Sequence, residues 1–215
     1  MDSTSLETVR LRPGMSLLEA EARSNFRFAL AGLRDNSPVV FERPIKVVYD
    51  AEVGRVQLPP TLMLWVNQLG GTVVDFTLAP QLDGVPLESA RLLAGQLGAV
   101  VRAAGWQPRA GHRSKEPSFA ELQSLFAQQA ATGRFNLSWG MWQLGSQRLD
   151  INIKELASGG EGEDASLPAK RFLVNVHVAD DEVFAQWTQR VRERRRLNGV
   201  SMDTSLPLVD WIGAR

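Results

Sequence analysis

The chain contains no cysteine among its 215 residues. Disulfides, thiolate zinc sites, iron–sulfur clusters and cysteine nucleophiles are therefore excluded. Net charge is also absent, since 24 basic residues balance 24 acidic ones, and we predict no nucleic-acid partner. No apolar run approaches the roughly 18 residues of a membrane-spanning helix. Hydrophobic residues nevertheless make up 44% of the chain, which is typical of a folded globular protein.

Catalytic motifs are missing as well. The sequence has no Gly-x-Ser-x-Gly elbow and no Gly-rich phosphate loop. Its two histidines, His112 and His177, have no second ligand three or four residues away on a helix, so we predict no metal and no cofactor. We therefore predict that the protein is not an enzyme and has no catalytic residues. A hydrolase site assembled from distant residues, around His177 and Asp180, stays open as an alternative.

The N-terminal half combines capped helices with alternating strands. A capping-box pattern at Ser16 predicts a helix from Leu17 towards Leu33. Short β-rich runs follow between residues 39 and 49. Alternating apolar residues on both sides of Gly70-Gly71 predict a β-hairpin. A second helix is expected from Leu87 to Ala104.

The C-terminal half repeats this order. Ser118 begins a second capping-box pattern and predicts a helix. Alternating runs around Gly145 predict another hairpin, a strand follows from Phe172 to Val178, and Asp180 or Asp181 caps a final helix. These elements predict an α+β fold, mainly antiparallel sheet with four principal helices. The repeated order suggests a duplicated α-β-β-β-α unit, and a single domain with recurring elements is the alternative.

The same signals divide the chain into five segments. These are a flexible lead-in (1–10), a first α+β half (11–106), a linker (107–117), a second α+β half (118–199) and a C-terminal tail (200–215).

Tryptophans on strands are the first candidates for partner binding. Trp139 and Trp142 point to opposite faces of the sheet if their strand is regular. Trp65 points to the face opposite that of its apolar neighbours. An exposed Trp is a favoured interface anchor, so we select Trp142 and Trp65. The alternative is a helix packed on that face, which would bury them.

An acidic, Gly-rich loop supplies the other candidates. Glu161, Glu163 and Asp164 lie in this loop and suit an adaptable contact with a partner. The order of acids in an EF-hand is missing, which argues against calcium. A solvated loop without a binding role is the alternative.

Two segments resemble bacterial envelope proteins. Leu11-Arg-Pro-Gly-Met-Ser-Leu-Leu-Glu-Ala resembles the opening of small Gram-negative outer-membrane assembly lipoproteins, although the Leu-Gly that usually ends their first helix is absent. The segment from Leu78 to Trp106 is similar in style to uncharacterised envelope proteins of proteobacteria. Some of these resemble immunity proteins that protect against toxins delivered by contact-dependent secretion systems.

The resemblance implies a periplasmic binding protein. We expect an immunity protein that inhibits a secreted antibacterial toxin, encoded by a neighbouring gene, by covering its active site. A signal or lipid anchor would precede the present sequence, and a cytoplasmic location is the alternative. An envelope scaffold or assembly lipoprotein is the alternative function.

Overall fold

The computed structural model describes residues 7–25, 38–69, 71–81, 83–112, 116–133, 135–156 and 170–197. Four helices lie within these ranges: α1 (Leu17–Arg23), α2 (Leu87–Ala103), α3 (Phe119–Ala130) and α4 (Asp181–Leu197). The strands are β1 (Thr8–Leu11), β2 (Pro38–Tyr49), β3 (Val56–Gln57), β4 (Thr61–Leu69), β5 (Thr72–Ala79), β6 (Gln107–Pro108), β7 (Asn136–Leu144), β8 (Gln147–Glu155) and β9 (Phe172–Asp180).

All nine strands belong to one sheet with the order β1-β2-β4-β5-β9-β8-β7-β6, and β3 pairs with β2 off this path. Only the β1–β2 pair is parallel among the described strand pairs. The predicted fold class is therefore confirmed: an α+β protein with four helices and a mostly antiparallel sheet.

The two halves meet at the centre of this sheet. Strands β2, β4 and β5 come from the first half, and β9, β8 and β7 come from the second. Their order is mirrored about the β5–β9 pair, with the short strands β1 and β6 at the two outer edges. Each half thus places three long strands between two helices, in the predicted order of elements. A common origin of the halves stays a prediction.

Some predicted boundaries need correction. Thr8 to Arg10 were assigned to a flexible lead-in, but they pair with β2 as part of β1. The linker (107–117) contains β6, which pairs with β7. Helix α1 ends at Arg23, because Ser24 is extended, and residues 26–33 of the predicted span lie outside the described residues. The tail (200–215) lies outside the described residues.

Helix starts were predicted well because capping is a local interaction. The Ser16 hydroxyl accepts a hydrogen bond from the Glu19 amide at 3.1 Å. The Ser118 hydroxyl and the Glu121 carboxylate form a complete reciprocal capping box at the start of α3. The Asp180 carboxylate accepts hydrogen bonds from two backbone amides in the first turn of α4.

Trp142 lies in the core, between the sheet and α2. The pairing of β7 with β8 shifts register between Ser138 and Gly140. This β-bulge inserts one residue and turns Trp139 and Trp142 to the same side. Their exposed fractions are 3% and 5%, so the prediction that they point to opposite faces is wrong.

Two glycines make room for the Trp142 ring. A Cβ atom at Gly140 would come within 2.6 Å of the ring, and one at Gly98 of α2 within 3.2 Å. Contacts below 3 Å are essentially never seen for real Cβ atoms. Glycine at these positions therefore allows α2 to approach the sheet closely.

We expect Gly140→Ala to lower the free energy of unfolding by about 1–3 kcal/mol, because the added methyl group overpacks the Trp142 ring. Gly95→Ala is the matched control. Its methyl group would meet only the flexible end of Glu116, and alanine favours the helix by up to about 1 kcal/mol. Urea unfolding of both variants measures the difference. Equal stability of Gly140→Ala and the unmodified protein would contradict this packing.

Candidate functional site

The sheet has one apolar and one polar face. On strands β4, β5, β9, β8 and β7 the apolar face is buried, and α2 packs over β7, β8 and β9. Residues on the opposite side, mostly half-buried or exposed, form what we call the polar face. By strand register these residues are Met63, Trp65, Asn67, Asp75, Thr77, Ala79, Asn136, Ser138, Met141, Gln143, Arg148, Asp150, Asn152, Lys154, Leu173, Asn175, His177 and Ala179.

Strand pairing arranges the centre of the polar face as a row. Trp65 of β4 lies opposite Thr77 of β5. Thr77 lies opposite His177 of β9, and His177 lies opposite Asp150 of β8. Directly opposed side chains are close enough to interact. Four neighbouring strands therefore bring an aromatic ring, a hydroxyl, an imidazole and a carboxylate into one line.

His177 is held between two carboxylates. Its Nδ1 atom lies 3.4 Å from Asp150 Oδ2, and its Nε2 atom lies 3.4 Å from Asp75 Oδ1. Burial disfavours the charged ring, but hydrogen bonds to Asp150 and Asp75, together with their charges, outweigh burial and raise the pKa of His177 to about 9. The ring is therefore an imidazolium at neutral pH and donates from both nitrogens.

Each carboxylate has a further donor. Asn67 donates from Nδ2 to Asp75 Oδ1 at 2.6 Å, and Arg148 donates from Nε to Asp150 Oδ2 at 3.1 Å. Two buried acceptors on this face, Asp150 Oδ1 and Asn67 Oδ1, receive no hydrogen bond from the described residues. A buried acceptor without a donor is costly to stability, so the network on this face is incompletely satisfied.

The residues predicted to bind a partner lie in different parts of the chain, and only one of them lies on the polar face. Trp65 lies on the polar face, half-buried, while its neighbours Leu64 and Val66 are buried in the core. Trp142 does not lie on this face, because the bulge in β7 turns it inward. The three acidic loop residues, Glu161, Glu163 and Asp164, lie outside the described residues.

The structure does not bring His177 and Asp180 together as the hydrolase alternative requires. They are three positions apart on β9 and thus on opposite faces. Asp180 instead caps α4 and accepts a hydrogen bond from Ser146 Oγ at 3.0 Å. His112, the other histidine, is exposed. No group of three potential metal ligands occurs among the described residues.

Sequence reasoning missed Asp75, Asp150 and Asn67 as members of this site. Alternation does reveal their orientation, because Asp150 lies between the apolar Leu149 and Ile151. The missing information was strand pairing, since β5, β8 and β9 are far apart in sequence.

No family model, curated protein or solved structure matches the chain. The resemblance to envelope and immunity proteins therefore stays a prediction. Of the helices in the described ranges, none has the length and hydrophobicity needed to cross a membrane.

The raised pKa of His177 makes stability depend on pH. Because its folded pKa of about 9 exceeds the ordinary value of 6.5, its stabilising contribution is complete below pH 6.5 and is lost as pH rises through 9. We expect the stability difference between the unmodified protein and His177→Gln to shrink over this range. The shift corresponds to at most about 3 kcal/mol, and solvent screening of the partly exposed ring reduces it to about 1–2 kcal/mol.

Urea unfolding at several pH values measures this difference, and NMR titration of the ring protons measures the pKa itself. Asp150→Asn should lower the pKa of His177, because it removes one of the two negative charges. A pKa at or below 6.5 in the folded protein would contradict the described geometry.

Proposed function

We propose that the protein is a non-catalytic binding protein that docks a protein partner on the polar face. The observation that carries this proposal is the composition of the face. Interface cores are enriched in aromatic residues, methionine and arginine, and Arg148 lies on this face. The polar face contains Trp65, Met63 and Met141.

The hydrogen-bonding groups of the face support the same proposal. The positive charge of His177 lies between the negative charges of Asp75 and Asp150. Docking of a partner therefore does not bury an isolated, unpaired ion. A partner that presents hydrogen-bonding groups, such as arginine side chains or free backbone amides, would pair with the exposed polar side chains of this face, Ser138 and Gln143.

The state of His177 supports a role without catalysis. A general base needs an unprotonated nitrogen at working pH. With its pKa near 9, the His177 ring is protonated at neutral pH, and both nitrogens face carboxylates. This environment suits a fixed structural cation better than a proton acceptor.

An immunity protein is the narrower form of this proposal. The partner would then be a secreted antibacterial toxin, encoded by a neighbouring gene and blocked sterically in the periplasm. An envelope scaffold or assembly factor would use the same face without inhibiting its partner. Both forms rest on the resemblance described above and are distinguished by experiment.

We expect Trp65→Ala to weaken binding of the purified neighbouring gene product by more than about tenfold, because central tryptophans often contribute 2 kcal/mol or more. Leu92→Ala is the matched control, since Leu92 is 52% exposed on α2, the helix that covers the opposite face. Calorimetry gives both affinities, and circular dichroism verifies that both variants are folded. Unchanged binding by Trp65→Ala, or equal loss in Leu92→Ala, would argue against docking on the polar face.

Co-expression of the neighbouring product in the periplasm tests the narrower form. An immunity protein rescues growth, and Trp65→Ala rescues it less. If the neighbouring product binds but is not toxic, the scaffold form is favoured. If it does not bind, the immunity form is wrong, and a photo-crosslinking residue in place of Thr77 then identifies the partner in intact cells of the source organism.

A further inference from the structure

An arginine-lined cleft lies apart from the polar-face row. It encloses about 650 Å³ and is lined mainly by Arg12, Arg23, Arg55, Asp50, Glu52 and Gln147. We call it the arginine cleft. Its size falls within the range typical of small-molecule sites, about 300–1,000 Å³.

The parallel pairing of β1 and β2 builds the cleft. Leu11 lies opposite Tyr49, and the Asp50 amide donates to the Leu11 carbonyl at 2.8 Å. The residues that follow each strand, Arg12 and Asp50, are thereby brought to the same place. Arg23 comes from the last turn of α1, and Gln147 begins β8 in the second half of the chain.

Asp50 organises the arginines. Its carboxylate is 3% exposed and accepts hydrogen bonds from Arg10 at 3.3 Å, from Arg23 at 3.2 Å and from Arg55. Burial alone would raise the pKa of Asp50, but these hydrogen bonds and charges lower it below the ordinary value. One ionised carboxylate thus holds three guanidinium groups near one another.

Positive charge is in excess at the cleft. Arg12, Arg23, Arg55, Asp50 and Glu52 line the cleft, and Arg10 and Glu19 form ion pairs with these residues. Four arginines against three carboxylates give a formal charge of +1. Arg23 and Arg55 remain 51% and 58% exposed. A guanidinium has five N–H donors, whereas Arg12 and Arg55 each donate one hydrogen bond to the described residues.

An ion-pair network that only joins β1, α1 and β2 is the simpler interpretation. It explains Arg10, which does not line the cleft. It does not explain why Arg12, which forms no ion pair with Asp50, lies beside the same opening as Arg55. Most donors of both side chains are unused by the described residues. Planar guanidinium groups in this arrangement are suited to bidentate recognition of carboxylate or phosphate oxygens.

We infer that the arginine cleft binds a small organic anion that carries phosphate or carboxylate groups. Arg12 and Arg55 would contact the anionic group, while Asp50 holds Arg55 in place. Glu52 and Gln147 supply acceptors for hydroxyl groups elsewhere on the ligand. The arginine cleft shares no residue with the polar face. The anion-binding inference and the partner-docking proposal are therefore tested separately.

Calorimetric titration with inorganic phosphate and with citrate, each in chloride buffer, tests the inference. We expect saturable binding of at least one probe at a single site, weakened at least tenfold by Arg12→Gln and by Arg55→Gln. Stronger binding of phosphate indicates a phosphorylated ligand, and stronger binding of citrate indicates a polycarboxylate. Arg91→Gln is the matched control, because Arg91 pairs with Glu88 on α2 and lies outside the cleft.

Arg12→Gln is the decisive variant. Arg12 makes no hydrogen bond to Asp50 among the described contacts, so its replacement leaves the Asp50 ion pairs intact, and thermal unfolding verifies this. The inference is overturned if neither probe binds more tightly than about 10 mM. It is also overturned if Arg12→Gln and Arg55→Gln bind as tightly as the unmodified protein, or if Arg91→Gln weakens binding equally.

Discussion

Strands β5 and β9 pair antiparallel at the centre of the sheet, with Phe76 opposite Val178 and Thr77 opposite His177. Side chains alternate along a strand, so a shift of β9 by one residue would turn Val178 towards the polar face. This register joins the two halves into one sheet with a continuous core. It also places His177 beside Asp75, a contact that neither half could make alone.

The two faces therefore have different physical roles. The apolar face supplies the stability, since its buried aliphatic residues and Trp142 pack against α2 with little free space. The polar face contributes fewer buried contacts, and its ionic residues neutralise one another locally. A rigid core that presents a preorganised surface is what a binding protein requires, because little ordering then accompanies association. The arginine cleft lies beyond the central strands, where β1 and β2 end near the start of β8.

Local signals in the sequence predicted much of the fold. Capping at Ser16 and Ser118 and the turns at Gly71 and Gly145 involve residues close in sequence, and all are present in the structure. The β5–β9 pairing joins residues about a hundred positions apart, and alternation alone does not select it. The bulge in β7 reversed the expected orientation of Trp142, since one inserted residue changes the parity of the strand. The candidate site depends on that long-range pairing, so only the orientation of Trp65 was predicted.

Site-specific labelling in cells tests the binding role of the polar face most directly, because the chain has no native cysteine. Thr77→Cys places one thiol at the centre of the face, and Leu92→Cys places one on the exposed side of α2. The rate of maleimide labelling is compared between purified protein and intact cells of the source organism. The account predicts that Thr77→Cys is protected in cells relative to the purified protein, whereas Leu92→Cys is labelled similarly in both. Equal labelling of Thr77→Cys in cells and in isolation would contradict the proposal that a partner covers this face.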